Sequence, residues 1–175
     1  MALVNSIASW VLKKRLHQID LFRKYPHEVQ NECFSKLISA AKDTEFGKKY
    51  KFSKIKNVND FRKSVPIHDY EDIKDYILRI KHGEQNLLWP SEIKWFAKSS
   101  GTTNDKSKFI PVSKESLEEC HYKGGKDLLS IYLNANPESE LFTGKGLVIG
   151  GSSEVNQFSK NSYYGDLSSI IIKNL

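Results

Sequence analysis

Long hydrophobic runs are missing from this chain, and no apolar stretch approaches membrane-spanning length. The opening MALVNSIASWVLKKRL does not fill that gap. Its charges follow the apolar residues instead of preceding them, and no small-x-small cleavage site closes it, so it does not read as a secretory signal. Cysteine is scarce as well. Cys33 and Cys120 are the only two, and neither has a CxxC neighbour or a His at metal-ligand spacing, which excludes a disulfide framework and a zinc site. Both fall at apolar positions of predicted helices, where ordinary core packing is expected. Internal repeats and low-complexity segments are also lacking. These absences point to a soluble cytoplasmic protein with no stable membrane insertion.

What is present is core-forming material. Hydrophobic residues make up 39% and charged residues 27% of the 175, and three Trp, eight Tyr and nine Phe supply bulk, so the chain is globular rather than disordered. Its length suits one modest domain or a lobe of a larger one. The net charge of +6 is spread along the sequence, with short dense runs at Lys13-Lys14-Arg15 and Lys48-Lys49-Tyr50-Lys51. Such an excess suits an anionic ligand such as ATP, and suits nucleic acid or an acidic membrane surface equally; most such runs are solvated faces.

Periodicity predicts helices first. Over about 4–24, Val4, Ala8, Leu12, Leu16, Ile19 and Phe22 fall on one face. Pro26 fits the first position of a second helix, with Val29, Cys33, Leu37 and Ala40 as its buried stripe. A third spans about 69–81 through Tyr70, Ile73, Ile77 and Ile80. Its first turn carries Glu71 and Asp72, its last carries Arg79 and Lys81, and Gly83 closes it, an order that matches the helix dipole. The texture changes near Trp89-Pro90. Ile93 to Ala97 reads as a strand and Phe109 to Val112 as another. Ser113 can cap a helix over about 114–133 with Leu117, Cys120, Gly124, Leu128 and Ile131 inward. Gly146-Leu147-Val148-Ile149-Gly150 reads as a buried strand, and Ser168 to Ile172 opens a further apolar element. The expected fold is α/β, with a helical segment over 1–90 and a sheet-bearing part over 91–175. Because the sequence ends inside an apolar run, it is expected to be the N-terminal portion of something longer.

Between the first two strands lies Ser99-Ser100-Gly101-Thr102-Thr103-Asn104-Asp105-Lys106-Ser107-Lys108. Polyphosphate binding needs backbone N–H groups, hydroxyl donors and a cation close together. Gly101 permits a tight backbone and close ligand approach; Ser99, Ser100, Thr102 and Thr103 bring hydroxyls; Lys106 and Lys108 bring charge. The GxxxxGK[ST] pattern is absent, and the partial likeness at Gly144-Lys145 has Ser139 where a glycine would be required. On spacing alone, a Ser/Thr/Gly-rich segment is as readily a plain surface turn.

Ser99-Ser100-Gly101-Thr102-Thr103 with Lys108 resembles the phosphate-binding motif of adenylate-forming enzymes, the group containing acyl-CoA synthetases and luciferase. Phe61-Arg62-Lys63-Ser64-Val65-Pro66, Tyr70-Glu71-Asp72, Tyr76-Ile77-Leu78-Arg79-Ile80, Gly83-Glu84 and Phe109-Ile110-Pro111-Val112-Ser113 make the chain similar to one branch, the Gretchen Hagen auxin-responsive family of acyl-acid amido synthetases. The likeness is strongest over about 60–113. One departure is Asn104-Asp105, where family members often carry glycine; Asn and Asp tolerate the left-handed backbone region, and Mg²⁺ or Lys106 would offset the added carboxylate. The resemblance implies the N-terminal part of the large adenylate-forming domain and ATP with Mg²⁺. It also implies a small-molecule carboxylic acid and an amino acid as partners, not nucleic acid. Ser99, Ser100, Gly101, Thr102, Thr103 and Lys108 are the implied phosphate-binding residues, and Tyr122 and Lys126 on the following helix are candidates for the acyl substrate. No residue is assigned as catalytic base or protein metal ligand. The adenosine-binding and lid motifs of the family do not occur in these residues, so the 175-residue chain alone is expected not to catalyse adenylation. The other readings are a ligase that passes its acyl group to a thiol, and a non-catalytic basic module that docks through its first helix.

Overall fold

The structure, a computed structural model, describes residues 2–99, 107–147, 149–152 and 154–175. They fall into two compact units, one of Met1–Gln30 with Glu115–Ile149 and one of Asn31–Lys114 with Gly150–Leu175. Helices come first and the sheet begins only at Trp95, in agreement with the α/β class predicted from the switch in periodicity. Among the described residues no helix is long and apolar enough to cross a membrane.

The first unit is built on two helices. α1 (Ala2–Lys24) packs along α7 (Lys123–Ala135), with Leu12, Leu16 and Ile19 half-buried and Phe22 exposed. Between the two, the Arg15 guanidinium grips the Asp127 carboxylate with both arms, at 2.5 and 3.2 Å. That bond raises the Arg15 pKa above its ordinary value. Buried Ser130 donates its hydroxyl to the Lys126 carbonyl at 2.6 Å, beside the buried Leu133.

α7 does not start as an ordinary helix. A short α6 (Lys114–Ser116) runs into a π-helical turn over Leu117–Tyr122 before α7 begins. The wide turn rotates every later residue relative to a strict 3.6 period. The expected inward stripe is therefore wrong after Leu117: Cys120, Leu128 and Ile131 are exposed, and Ser130 and Leu133 are buried instead.

The second unit carries the sheet. α2 (Pro26–Ala41) enters it, and its buried face runs through Phe34, Ile38 and Ala41, one residue on from the predicted stripe. Phe34 and Ile38 offer more apolar area than the Cys33 face, so they take the interior and leave Cys33 and Leu37 exposed. Both cysteines thus lie outside the core, contrary to expectation. A sharp corner follows. Thr44 is fully buried and caps α3 (Glu45–Lys49): its hydroxyl donates to the Ala41 carbonyl at 2.7 Å and accepts the Gly47 N–H at 3.0 Å. After a single 3₁₀ turn at Phe52–Lys54 comes α4 (Val58–Ser64), which stops before Pro66.

α5 (Tyr70–Lys81) matches the predicted helix. Its start is fixed by a reciprocal cap, the Asp69 carboxylate accepting the Asp72 N–H at 3.1 Å and the Asp72 carboxylate accepting the Asp69 N–H at 3.0 Å. Gly83, at φ 102°, lies just past its end. Tyr76, Ile77 and Ile80 pack with Leu87, Ile93 and Phe96 into one core cluster; Ile38, Ala41, Phe52 and Ile55 form a second, and Phe46 and Trp89 pack against both.

The sheet has the order β2-β1-β4-β3. The first two predicted strands are present as β1 (Trp95–Lys98) and β2 (Phe109–Val112), which pair antiparallel with Trp95 opposite Val112 and Lys98 opposite Phe109. On its other side β1 runs parallel to β4 (Ser162–Gly165), which pairs antiparallel with β3 (Val155–Ser159). α8 (Leu167–Lys173) packs on β1 and β4, with Ile170 fully buried. One expectation fails here. The described residues of 146–150 form no strand, and Leu147 and Ile149 are almost fully exposed; β1 already has a partner on each edge, so this run has no central place to pair. The final apolar run, whose type was left open, is a helix, a choice that periodicity cannot make for so short a segment.

On the surface of this unit Arg79 bonds both Glu45, at 2.6 and 2.8 Å, and Glu84, at 2.5 and 2.8 Å. These bonds hold both carboxyls below the ordinary value of 4.5. Carboxylates with depressed folded-state pKa add stability that is complete above the unfolded value and is lost as pH falls through the folded one. The urea midpoint should therefore fall on acidification below about pH 4.5. In Arg79→Gln that acid limb should be shallower, and added salt should flatten the wild-type limb because the groups are exposed. The Thr44 corner gives a second prediction. A Cβ on residue 47 would lie 2.0 Å from the Ala41 carbonyl oxygen, so Gly47→Ala should destabilise by about 3 kcal/mol in urea unfolding. Thr44→Val, which removes a buried donor and acceptor together, should cost about 2 kcal/mol.

Candidate functional site

The segment singled out from sequence is the connection between β1 and β2. Of its implied phosphate-binding residues, Ser100, Gly101, Thr102 and Thr103 lie outside the described residues, whereas Ser99 and Lys108 are placed. These two form the foot of the connection. The Ser99 N–H donates to the Lys108 carbonyl at 2.9 Å, and the Lys108 N–H donates to the Ser99 hydroxyl oxygen at 3.0 Å. The hairpin ladder thus extends one pair beyond Lys98 and Phe109, with a side chain standing in for one backbone acceptor. Ser99 keeps its own O–H as a donor, so its hydroxyl can serve the hairpin as acceptor and an anion as donor at once.

The outer edge of β2 is tied to α5. The Phe109 N–H donates to the Tyr70 hydroxyl at 3.0 Å, and that hydroxyl lies 3.4 Å from the Phe109 carbonyl. On the other side, the Phe109 ring packs edge-on against Phe158 and Tyr164, with centroids at 4.9 and 5.3 Å. The Lys108 ammonium is exposed and stands 5.5 Å from the centre of the Tyr70 ring. Lys81 likewise lies 3.8 Å from the centre of the Phe158 ring.

The other candidates lie in the first unit. Tyr122 ends the π-helical turn half-buried, and Lys126 is exposed on α7. Their neighbour Lys123 pairs with Glu119. In the second unit Gly150-Gly151-Ser152 is used internally. The Ser152 N–H donates to Asp166 at 2.7 Å, the Gly151 N–H donates to the Ser168 hydroxyl at 3.1 Å, and Ser169 donates to the Ser152 carbonyl. Among the described residues no cluster of His, Cys, Asp or Glu could hold a metal ion.

Sequence reading missed two features. One is the Tyr70–Phe109 tie; the signal was Tyr70-Glu71-Asp72, legible only as a helix start. The other is an apolar cleft of about 620 Å³ in the second unit, bordered by Phe34, Phe52, Val58, Phe61, Arg62 and Trp89 among others. No periodic signal marks it, because its walls come from segments far apart in the chain.

Helices followed by a mixed sheet whose first hairpin carries a hydroxyl- and lysine-rich connection define an α/β protein. The GH3 family N-terminal domain model matches residues 15–175, and the chain belongs to that family. It is 30% identical over 135 residues to an indole-3-acetic acid-amido synthetase of Arabidopsis thaliana, GH3.4, covering 77% of this chain and 22% of that protein. It is 26% identical over 162 residues to jasmonoyl–L-amino acid synthetase JAR6 of Nicotiana attenuata, covering 83% of this chain and 27% of that one. The solved structure of a GH3.15 acyl acid amido synthetase superposes with a TM-score of 0.79 at 23% identity, over 92% of this chain and 29% of that chain, and shares the fold. The chain therefore spans less than a third of the length of these relatives.

The foot geometry yields a prediction. Ser99→Ala removes the acceptor of an exposed N–H, so global stability should change by less than about 1 kcal/mol. Local opening should become easier, and hydrogen exchange at the Lys108 amide should accelerate about fivefold while exchange in α5 stays unchanged.

Proposed function

We propose that this chain is the phosphate-gripping N-terminal part of an ATP-dependent, adenylate-forming ligase that conjugates a small carboxylic acid to an amino acid. The observation that carries the reading is the β1–β2 hairpin of a GH3-family chain, which presents Ser99 and Lys108 at the two feet of the Ser-Gly-Thr connection. The relatives support the substrate class, since their names pair an acid with an amino acid.

The chemistry has two balanced steps. A carboxylate oxygen of the acid attacks the α-phosphorus of ATP; the bond to the β-phosphate oxygen breaks, and pyrophosphate leaves with its electron pair. The amine of the amino acid then attacks the acyl carbon, the acyl–oxygen bond breaks, AMP departs and the amine loses a proton. The first step depends on positioning and charge neutralisation. Ser99, Ser100, Thr102 and Thr103 have the hydroxyls, and Gly101 the close backbone approach, to hold the β- and γ-phosphates. Lys108 offsets their charge, and Tyr122 or Lys126 would meet the acid. The donor chemistry of Ser99 and Lys108 fits a polyphosphate, since one retains an O–H and the other an exposed ammonium. Mg²⁺ bound with the nucleotide would supply further charge neutralisation. A cytoplasmic setting belongs to the same proposal.

The test is carboxylate-dependent ATP–pyrophosphate exchange in the full-length enzyme. Replacing Ser100 and Thr103 together with Ala should raise KM for ATP, lower kcat and reduce kcat/KM at least about tenfold, because each hydroxyl bonded to a charged phosphate contributes about 1.5–3 kcal/mol. Melting should be nearly unchanged. Unaltered exchange kinetics in that double variant would remove the reading. The 175 residues alone should bind pyrophosphate but show no exchange.

A further inference from the structure

We propose that Tyr70 is the positioning residue of the cationic foot of this hairpin, fixing β2 at Phe109 and holding the Lys108 ammonium where it meets polyphosphate; the inference rests on the phosphate-binding reading above. Tyr70 is well placed to act as an anchor. It is the first residue of α5, directly after the Asp69–Asp72 reciprocal cap. Three further residues of the same helix, Tyr76, Ile77 and Ile80, are locked in the core. A side chain rooted there cannot follow the hairpin; the hairpin is held to it.

The register explains why the tie falls at Phe109. In an antiparallel pair successive residues turn their backbone groups alternately toward and away from the partner strand. Ser99 and Lys108 bond across the hairpin, so Phe109 turns its N–H and carbonyl to the outer edge, where the Tyr70 hydroxyl meets both. Pro111, two residues on, shares that edge and has no N–H to satisfy. The hydroxyl therefore supplies the partner for the outward donor of β2 nearest the loop. Aromatic rings grip the Phe109 side chain at the same time. Phe109 is thus pinned through backbone and side chain, and Lys108 is the next residue toward the loop.

The ring does a second job. A carboxylate beside Lys108 would compete with an incoming phosphate. An aromatic face attracts the ammonium weakly and leaves its outward N–H donors available. The Tyr70 ring stands 5.5 Å away, and that contact narrows the range of the lysine without neutralising it.

The experiment uses the 175-residue chain with inorganic pyrophosphate as the probe. The variants are Tyr70→Phe, which keeps the ring and loses the hydroxyl, Tyr70→Leu, which loses both, Lys108→Ala, and the Tyr70→Leu/Lys108→Ala pair. Hydrogen exchange at the Phe109 amide should accelerate in both Tyr70 variants. The pyrophosphate Kd should rise about fivefold in Tyr70→Leu and less in Tyr70→Phe. With Lys108 already Ala, Tyr70→Leu should change the Kd by less than about twofold, since the two losses share one cause. A purely structural tyrosine would lower the melting temperature and leave the Kd of the folded protein alone. Wild-type binding by Tyr70→Leu, or fully additive losses, would overturn the proposal while leaving the loop reading in place. If Lys108→Ala binds as tightly as the unmodified chain, or the unmodified chain binds no pyrophosphate, the loop reading fails and takes this proposal with it.

Discussion

Phe96 is fully buried at the middle of β1, and the sheet-bearing unit is arranged around it. β1 is buried on both faces at Phe96 and Ala97, the condition of a central strand with layers above and below. β2 flanks it on one side and β4 on the other. α5 delivers Tyr76, Ile77 and Ile80 to the same cluster, and α8 packs on β1 with Ile170 enclosed. Burying one Phe contributes only about 2 kcal/mol as transferred area. Its larger consequence is geometric. Because the side-chain period of a strand is two, seating Phe96 inward fixes the facing of Ala97, Lys98 and Ser99 in turn, and with it the direction in which the hairpin leaves the sheet.

Charge has to be read by partner rather than by sum. A net +6 suggested an anionic ligand without choosing one. In the structure Arg79 is occupied by Glu45 and Glu84, Arg15 by Asp127, and Lys123 by Glu119. Lys81 and Lys108 instead lie near aromatic faces. Ion pairs at exposed positions contribute little to stability, but in each of them the cation already has a carboxylate partner. Among the described residues the lysine at the hairpin foot has a ring, and no carboxylate, as its neighbour.

How much of this was legible in the sequence depends on how local each signal was. α5 could be read because its period, cap residues and terminal charges agree. The β1–β2 hairpin could be read because two apolar runs bracket a polar one. α2 was found but turned by one residue, since Cys33, Leu37 and Ala40 make as regular a stripe as Phe34, Ile38 and Ala41, and only packing partners decide between them. The π-helical turn at Leu117–Tyr122 breaks the very period on which the prediction stood. β3 and β4 were missed because VNQFS and SYYG lack an apolar run, and their pairing is with each other and β1, not with sequence neighbours alone. The foot of the candidate site was half legible. Ser99 and Lys108 were chosen for what they offer a phosphate, yet their bond to each other was not foreseen. Tyr70 meets Phe109 across 39 residues, beyond any local pattern.

That long-range tie bears on how such a hairpin can bind anything. A connection whose amides and hydroxyls must converge on one ligand loses conformational entropy when it does so, roughly 1–2 kcal/mol per backbone ordered. Closing the loop is a small part of that cost, since closure grows only as the logarithm of length. What the feet govern is orientation. With Ser99 bonded to Lys108 and Phe109 held by Tyr70, both strands reach the loop at fixed positions and angles. An anchor on α5 is suited to this because the helix is seated in the same core as β1, so strand and anchor move together. Preorganisation at the foot thus follows from Phe96 at the centre, by way of one helix whose far face lies in the core and whose first residue reaches the edge of the sheet.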